Sequence, residues 1–244
     1  MWLSSCYMQL GKIKEAQAIS PDYYMVPPID RRLTVESDRF SELSNMFAQA
    51  GNLERALEYA LRCADIEKQV AGKEHIWYGN STIIIGNLYY ALGDSINAEE
   101  NYLINKNICK HTYGEYSERY VDALLSLASV NTDFSMKDGL DKATRYLDEA
   151  YSIAHKRYPL LEAQIVNQQS VIAFRNKNYE QAKTLMMQAL SLCELAEGKT
   201  SNNYEILLSN TIDLYQMFGQ YDEAITLGQD FLEACNQANR SDSI

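Results

Sequence analysis

The sequence has little positive charge. Its 22 lysines and arginines stand against 33 aspartates and glutamates, which gives a formal net charge of −11. Because no run of basic residues interrupts this acidic excess, the chain lacks the cationic surface that binds phosphate backbones and anionic lipids. Nucleic acid and membranes are therefore not expected as partners. A neutral to basic protein or peptide is the partner that this charge favours.

Cysteine motifs and long apolar runs are also missing. The five cysteines are scattered and form no C-x-x-C pair, so the sequence shows neither a zinc site nor a redox motif. A scattered, odd set of cysteines is typical of a reducing compartment. No apolar run approaches the roughly 20 residues of a membrane span, and residues 1–10 lack the basic region of a signal peptide. We expect a cytoplasmic protein that needs no cofactor.

Patterns that would indicate catalysis do not occur in the sequence. The phosphate-binding motifs G-x-x-x-x-G-K and G-x-G-x-x-G are absent. The three histidines, His75, His111 and His155, stand far apart, with no companion at the spacing of a metal site or a catalytic triad. We predict that the chain has no catalytic residue and no metal ligand, and that it is not an enzyme.

What the sequence does contain is one local pattern, repeated at intervals of 39 to 45 residues around an alanine. These signature alanines are Ala16, Ala56, Ala98, Ala143, Ala182 and Ala224. Five residues before them stand Gly11, Gly51, Gly93, Asp138, Lys177 and Gly219. The pattern predicts helical hairpins in which helix A ends at a left-handed turn residue and helix B begins two or three residues later. The small alanine allows the two helices to approach closely.

The segments around these turns resemble the tetratricopeptide repeat. They read LGKIKEA, AGNLERALEYA, LGDSINAEENY, NKNYEQAKTLM and FGQYDEAITLG. A second pattern places a tyrosine six residues after a glycine, in the pairs Gly72 and Tyr78, Gly114 and Tyr120, and Gly198 and Tyr204. With a repeat near 42 residues, longer than the minimal length of roughly 34, this is similar to the long-helix repeats of kinesin light chain. Such repeats also occur next to caspase-like CHAT peptidase domains in bacteria.

The resemblance implies an all-α fold, a right-handed superhelical solenoid of antiparallel helix pairs. About five full repeats are expected, preceded by a degenerate one. We predict the degenerate repeat at residues 1–34 and the array at residues 35–244. The units of the array are predicted at about 35–75, 76–116, 117–159, 160–201 and 202–237.

Three local features depart from the repeat. Pro21 stands where helix B of the first unit should continue, and Pro27 and Pro28 predict an irregular crossing before helix A resumes near Val35. This aromatic and proline-rich segment either docks a partner or, as we favour, covers the end of the solenoid. About three extra residues in VNTDFSMKDG predict an exposed loop in the third unit.

The two ends of the sequence leave open that it is part of a longer protein. Counting back from Ala16 places Met1 inside the first helix A. The last helix keeps apolar residues available for a further neighbour, namely Ile225, Phe231, Leu232 and Cys235.

The cysteines of three units occupy equivalent positions, eleven residues after the signature alanine. They are Cys109, Cys193 and Cys235. A nucleophile repeated in this way would serve no mechanism, whereas small thiols commonly pack as apolar side chains. We therefore predict that these cysteines are packing residues.

In tetratricopeptide repeat proteins helix A lines the concave surface, so the resemblance implies a binding groove built from its inward residues. The groove residues predicted here are Asn45, Ile83, Asn87, Tyr90, Leu125, Ser129, Asn167, Val171, Phe174 and Asp213. None is basic, so we predict that the groove does not clamp an acidic C-terminal carboxylate. Its amides suit an extended peptide backbone, and its apolar residues suit apolar anchors. For Leu125 and Val171, packing against neighbouring helices is an equal alternative.

These features favour a protein-interaction scaffold. The hypothesis is that an extended, neutral to basic peptide with apolar anchors binds in the concave groove. Two alternatives stay open. The chain could be the regulatory or sensor arm of a larger enzyme such as a CHAT-type peptidase, or it could be a self-association module.

Overall fold

The computed structural model describes residues 31–134 and 138–241, and these two ranges form ten α-helices without a β-strand. The helices are α1 (Arg31–Gln49), α2 (Leu53–Ala71), α3 (Ile76–Ala91), α4 (Ser95–Tyr113), α5 (Glu118–Asp133), α6 (Gly139–Ala154), α7 (Pro159–Arg175), α8 (Tyr179–Glu197), α9 (Asn202–Met217) and α10 (Tyr221–Ser241). They form five successive helix pairs, α1 and α2 through α9 and α10. The predicted all-α architecture is confirmed.

The described residues fall into two compact units, one that ends at Glu115 and one that begins at Tyr116. In the described ranges, the first unit holds α1 to α4 and the second holds α5 to α10. We call the first helix of each pair an A helix and the second a B helix.

The first described helix begins at Arg31, four residues before the expected start near Val35. A proline restricts its own backbone and that of the residue before it, so a proline in the sequence is compatible with a helix that starts three residues later. The degenerate repeat and the segment from Pro21 to Pro28 lie outside the described residues. So does part of the loop expected in the third unit, where α5 ends at Asp133 and α6 begins at Gly139.

The turns inside the pairs contain the left-handed residues that the sequence predicts. The positive φ angles are 77° at Gly51, 83° at Gly93, 60° at Asp138, 64° at Lys177 and 70° at Gly219. The Gly51 amide donates to Ala48 O at 3.0 Å. The Asn52 amide donates to Phe47 O at 2.9 Å. The turns at Gly93, Lys177 and Gly219 repeat this pair of bonds. This is the Schellman ending of a helix, which satisfies its last carbonyls.

The signature alanines lie where the two helices of each pair meet. Ala56, Ala98, Ala143 and Ala182 are fully buried, and Ala224 is 5% exposed. Around them, the core of the first unit contains Ala60 and Ala64 of α2 with Ile85 and Leu88 of α3. Two further clusters form the core of the second unit. Each B helix therefore packs on its own A helix and, inside a unit, on the A helix that follows.

The cysteine prediction is confirmed for Cys109 and Cys193, which are buried, whereas Cys235 in α10 is half-buried. Burial raises the pKa of the Cys193 thiol above its ordinary value. A thiol that stays protonated is a poor nucleophile, which fits a packing role.

The connections between pairs need glycine in three places. Gly72, Gly114 and Gly198 take φ of 98°, 87° and 84° with ψ of 159°, 162° and 166°. Only glycine occupies this region readily. Three residues after each glycine, a side chain caps the next A helix. Ser201 Oγ, for example, accepts from the Tyr204 amide at 3.2 Å.

The connection between α6 and α7 has no glycine at the corresponding position and is held by a side chain instead. Lys156 stands 42 residues from both Gly114 and Gly198, and its φ is 61°. Six residues later, where the other connections carry tyrosine, stands the buried Glu162. Its Oε2 accepts from the Lys156 amide at 2.9 Å, and its Oε1 lies 2.7 Å from His155 Nδ1. The Glu162 side chain thus holds a loop of the kind that glycine forms in the other three connections.

This contrast predicts that alanine is costly at Gly198 and nearly neutral at Lys156. Gly198→Ala forces a Cβ into a glycine-only conformation and should lower the unfolding free energy by about 1–3 kcal/mol. Lys156→Ala, the matched control, replaces one residue that has a Cβ with another, and its effect should stay within about 0.5 kcal/mol. Urea denaturation followed by circular dichroism measures both. Equal losses in the two variants would contradict this interpretation.

Candidate functional site

In the first unit, the predicted groove residues lie on α1 and α3. Asn45 and Asn87 are exposed, and Ile83 and Tyr90 are half-buried. Asn87 Oδ1 accepts a hydrogen bond from Tyr102 Oη of α4 at 2.8 Å. Burial raises the pKa of Tyr102 to about 12, so its hydroxyl stays protonated and can donate. The Asn87 amide is therefore held in one orientation at the surface.

The position of Tyr102 depends on a glycine in α3. A Cβ at Gly86 would lie 2.6 Å from Tyr102 Cε1, closer than any side chain tolerates. The absence of a side chain at Gly86 allows the tyrosine ring to cross beneath α3 and reach Asn87. The sequence shows no sign of this pairing, because Tyr102 belongs to the B helix, which the predicted groove leaves out.

In the second unit, α5 and α7 contribute a polar bridge. Gln168 Nε2 donates to Ser129 Oγ at 2.9 Å and lies 3.4 Å from Leu125 O. Leu125 itself is buried in the core cluster of α5, α6 and α7. Of the two alternatives for this residue, its burial favours packing against neighbouring helices. Asn167 is half-buried beside Gln168, and the carbonyl oxygens of both amides accept no hydrogen bond within the described residues. Polar groups are least satisfied along this part of α7.

Three predicted residues, Val171, Phe174 and Asp213, meet at a pocket of about 280 Å³ formed by α7, α8 and α9. Its apolar lining is Val171, Phe174, Ala182, Met186, Leu214 and Met217. Its polar lining is Ser170, Asn210 and the exposed Asp213. We call this the A-helix pocket. Phe174 is fixed there by ring contacts with Tyr179 and Phe218, with centroids 5.5 and 6.4 Å apart.

Sequence reasoning missed Gln168, Asn210 and Met217. Gln168 and Asn210 both stand fourteen residues before a signature alanine, and both carry an amide. That shared position was a usable signal. Met217 corresponds to Arg175 in the preceding repeat, so its place in the A-helix pocket could not be read from the pattern.

The A helices of the second unit carry an acidic charge. Helices α5, α7 and α9 contain six acidic residues, Glu118, Asp122, Asp133, Glu162, Glu205 and Asp213, and two basic ones, Arg119 and Arg175. Arg175 is engaged by Asp133 at 3.1 Å. The formal balance is −4, which favours a cationic over an anionic ligand.

A buried polar cluster joins α1, α2 and α3 around Cys63. Cys63 Sγ lies 3.3 Å from Ser37 Oγ and 3.6 Å from Ser81 Oγ, and Ser81 donates to Glu67 Oε2 at 2.5 Å. Burial raises the pKa of both Cys63 and Glu67. A raised thiol pKa disfavours the thiolate, so the cluster suits packing and hydrogen bonding better than nucleophilic chemistry.

The histidines lie in separate places. His75 Nδ1 accepts from the Trp77 amide at 3.2 Å and caps α3, whereas His111 is exposed on α4 and His155 contacts Glu162. Across residues 31–134 and 138–241, no three His, Cys, Asp or Glu side chains are grouped as a metal site requires. Within the same ranges, no helix combines the length and apolarity that crossing a bilayer demands.

Comparison with known families finds the tetratricopeptide repeat in two stretches of the chain, residues 38–76 and 161–237. Among curated proteins, none matches the sequence. The stretch between the two matches, residues 77–160, contains helices of the same pairing.

Solved structures with similar folds include repeat proteins of the kinesin light chain type. One is a Podosopora anserina protein described as a kinesin light chain with nearly identical TPR-like repeats, at 18% identity and a TM-score of 0.63, covering 86% of this chain and 97% of that one. Another is BtubC (BKLC) from P. vanneervenii, at 14% identity and a TM-score of 0.65, covering 96% and 90%. RapI matches at 12% identity and a TM-score of 0.59, covering 98% and 97%. At these identities the likeness establishes the fold.

The raised pKa of Glu67 leads to a prediction about pH. A carboxyl with a raised folded-state pKa contributes stability below its ordinary value of 4.5, and this contribution is lost as the pH rises through the folded-state pKa. Glu67→Gln keeps an acceptor for Ser81 and removes the charge of a half-buried carboxylate. We expect the variant and the parent to melt together near pH 4, and the variant to melt about 2–5 °C higher at pH 7.5.

Thermal melts by circular dichroism at both pH values test this expectation. Glu100→Gln, which removes an exposed carboxylate of α4 outside the Cys63 cluster, serves as the control for net charge. A lower melting temperature for Glu67→Gln at pH 7.5 would show that the ionised carboxylate stabilises the cluster.

Proposed function

We propose that the chain, which matches the tetratricopeptide repeat over residues 38–76 and 161–237, binds an extended, neutral to basic peptide with apolar anchors along its A helices. Tetratricopeptide repeats are generally protein-interaction scaffolds without catalytic activity. The observation that carries the proposal is the A-helix pocket, where an apolar cavity lies next to the exposed Asp213.

The size of the A-helix pocket suits one side chain. Its volume of about 280 Å³ lies just below the range of roughly 300–1,000 Å³ that is typical of small-molecule sites. Phe174, Leu214 and Met217 provide the apolar contact surface. An aliphatic or aromatic anchor of a peptide fits such a pocket and would be removed from water, which is the main source of affinity in peptide recognition.

Charge and hydrogen bonding define the residues around that anchor. Asp213 at the A-helix pocket and the formal charge of −4 on the three A helices favour a Lys or Arg next to the anchor. Asn210 offers a donor and an acceptor to the peptide backbone. In the first unit, the oriented amide of Asn87 and the exposed Asn45 supply the same chemistry.

A peptide array tests the proposal directly. The full chain is incubated with an array of random extended peptides, and bound sequences should be enriched in an apolar residue flanked by Lys or Arg. Met217→Asp places a charge at the A-helix pocket and should weaken the best peptides by about tenfold or more. Asp213→Lys should shift the preference from basic to acidic flanking residues.

The matched control is Leu195→Asp, which adds the same charge at an 81% exposed leucine of α8 outside the A-helix pocket. It should leave the affinities unchanged, and all variants should keep the helical content and melting temperature of the parent. Enrichment of acidic C-terminal peptides, or affinities that Met217→Asp and Asp213→Lys leave unaltered, would overturn the proposal.

A further inference from the structure

Helix α10 carries an apolar stripe on a face that no other described helix covers. Tyr221, Ile225 and Leu232 are 62%, 55% and 62% exposed. Their spacing of four and seven residues places them on one side of the helix. Gly228 and Cys235 are half-buried at the edge of this side, and a Cβ at Gly228 would lie 3.8 Å from Ile212 of α9. We call Tyr221, Ile225 and Leu232 the α10 face.

The counterparts of these residues in α8, 42 positions earlier, all contact the repeat that follows. Leu190, the counterpart of Leu232, is 3% exposed and packs in a cluster with Tyr204, Leu207 and Leu208 of α9. The other two counterparts lie against the turn that ends α9. The Tyr179 ring is 5.1 Å from the Phe218 ring, and Lys183 Nζ is 5.7 Å above Phe218 and 3.0 Å from Gln220 Oε1.

The same position is a helix-binding surface in the first unit. Ala64 of α2, equivalent to Leu190 and Leu232, is buried in the cluster that includes Ile85 and Leu88 of α3. A B helix in this fold therefore presents a face whose use is to bind the next A helix. On α10 this face is apolar, and it has a leucine, Leu232, at the position that Leu190 occupies on α8.

Charge distinguishes the α10 face from its counterpart on α8. Lys183 of α8 is replaced by Ile225, so the cation is lost. Helix α10 contains four acidic residues, Asp222, Glu223, Asp230 and Glu233, and one basic residue, Arg240. By helical spacing, Asp222 and Glu233 both lie along the same edge of the stripe. A helix that packs here meets an apolar strip with one acidic edge on a helix of net negative charge.

We propose that the α10 face binds a basic amphipathic helix of a partner protein, in the way that α8 binds α9. This surface is distinct from the A-helix pocket, so the protein binds two kinds of element, an extended peptide and a helix. A second copy of this chain fits less well. Its first described A helix, α1, carries three arginines against three acidic residues and offers no net positive charge.

A synthetic helix based on the sequence of α9 tests the proposal. The probe is residues 200–220 of this chain with Glu205→Lys and Asp213→Lys, labelled with a fluorophore. It keeps Tyr204, Leu207 and Phe218, the residues that contact α8, and carries Lys in place of both acidic residues. Fluorescence anisotropy with the full chain should give saturable binding with a Kd on the order of 1–50 µM.

Three variants locate the site. Leu232→Asp should weaken binding of the probe by about tenfold or more, because it places a charge on the α10 face. Leu195→Asp, the matched control on α8, should leave the Kd within about twofold of the parent. Met217→Asp, which alters the A-helix pocket, should also leave the Kd of the probe unchanged. This variant therefore distinguishes the helix-binding proposal from the peptide-binding proposal.

Several outcomes would overturn the inference. They are no saturable binding up to about 100 µM, equal weakening by Leu195→Asp, or tighter binding of the unmodified acidic peptide. Light scattering tests the alternative that a second copy of this chain occupies the α10 face. A parent dimer that Leu232→Asp converts to a monomer would assign the α10 face to a second copy and refute a partner helix.

Discussion

The structure depends on the contact at the signature alanine. Because Ala56, Ala98, Ala143 and Ala182 carry only a methyl group and are fully buried, the two helices of each pair pack closely around them. The left-handed turn five residues earlier fixes where helix A ends. Together they orient each pair, so that within a unit a B helix presents one face to the A helix of the next repeat. The A-helix pocket and the α10 face are both consequences of this arrangement.

Individual repeats then differ in how they meet the same constraint. Three connections use glycine in a conformation that other residues avoid, whereas the fourth uses the buried Glu162 to hold the Lys156 amide. The position eleven residues after the alanine holds Cys109 and Cys193 in two repeats and Glu67 in another. Glu67 is half-buried there, where it accepts a hydrogen bond from Ser81 and where desolvation raises the pKa of its carboxyl. The scaffold tolerates these exchanges because each repeat contacts few neighbours.

Function in this fold follows from which faces stay uncovered. The A helices of the second unit and helix α10 both carry an acidic excess, although one surface is a small apolar pocket and the other an exposed apolar stripe. The two surfaces lie on different helices and use different residues. Together, the two proposals predict a scaffold that holds two partners, or two elements of one partner, at the same time.

The sequence alone determined the helix pairs, the turn residues and the acidic character, because spacing and composition dictate them directly. It also placed Val171, Phe174 and Asp213 at one surface. The tertiary structure decided the rest. Leu125 lies in the core, whereas Ile83 and Asn167 at the equivalent positions are half-buried, because the side chains that pack against one register position differ between repeats. Met217 lines the A-helix pocket. The bond from Tyr102 to Asn87 depends on the missing side chain of Gly86, a contact between two helices that periodicity within one helix cannot reveal.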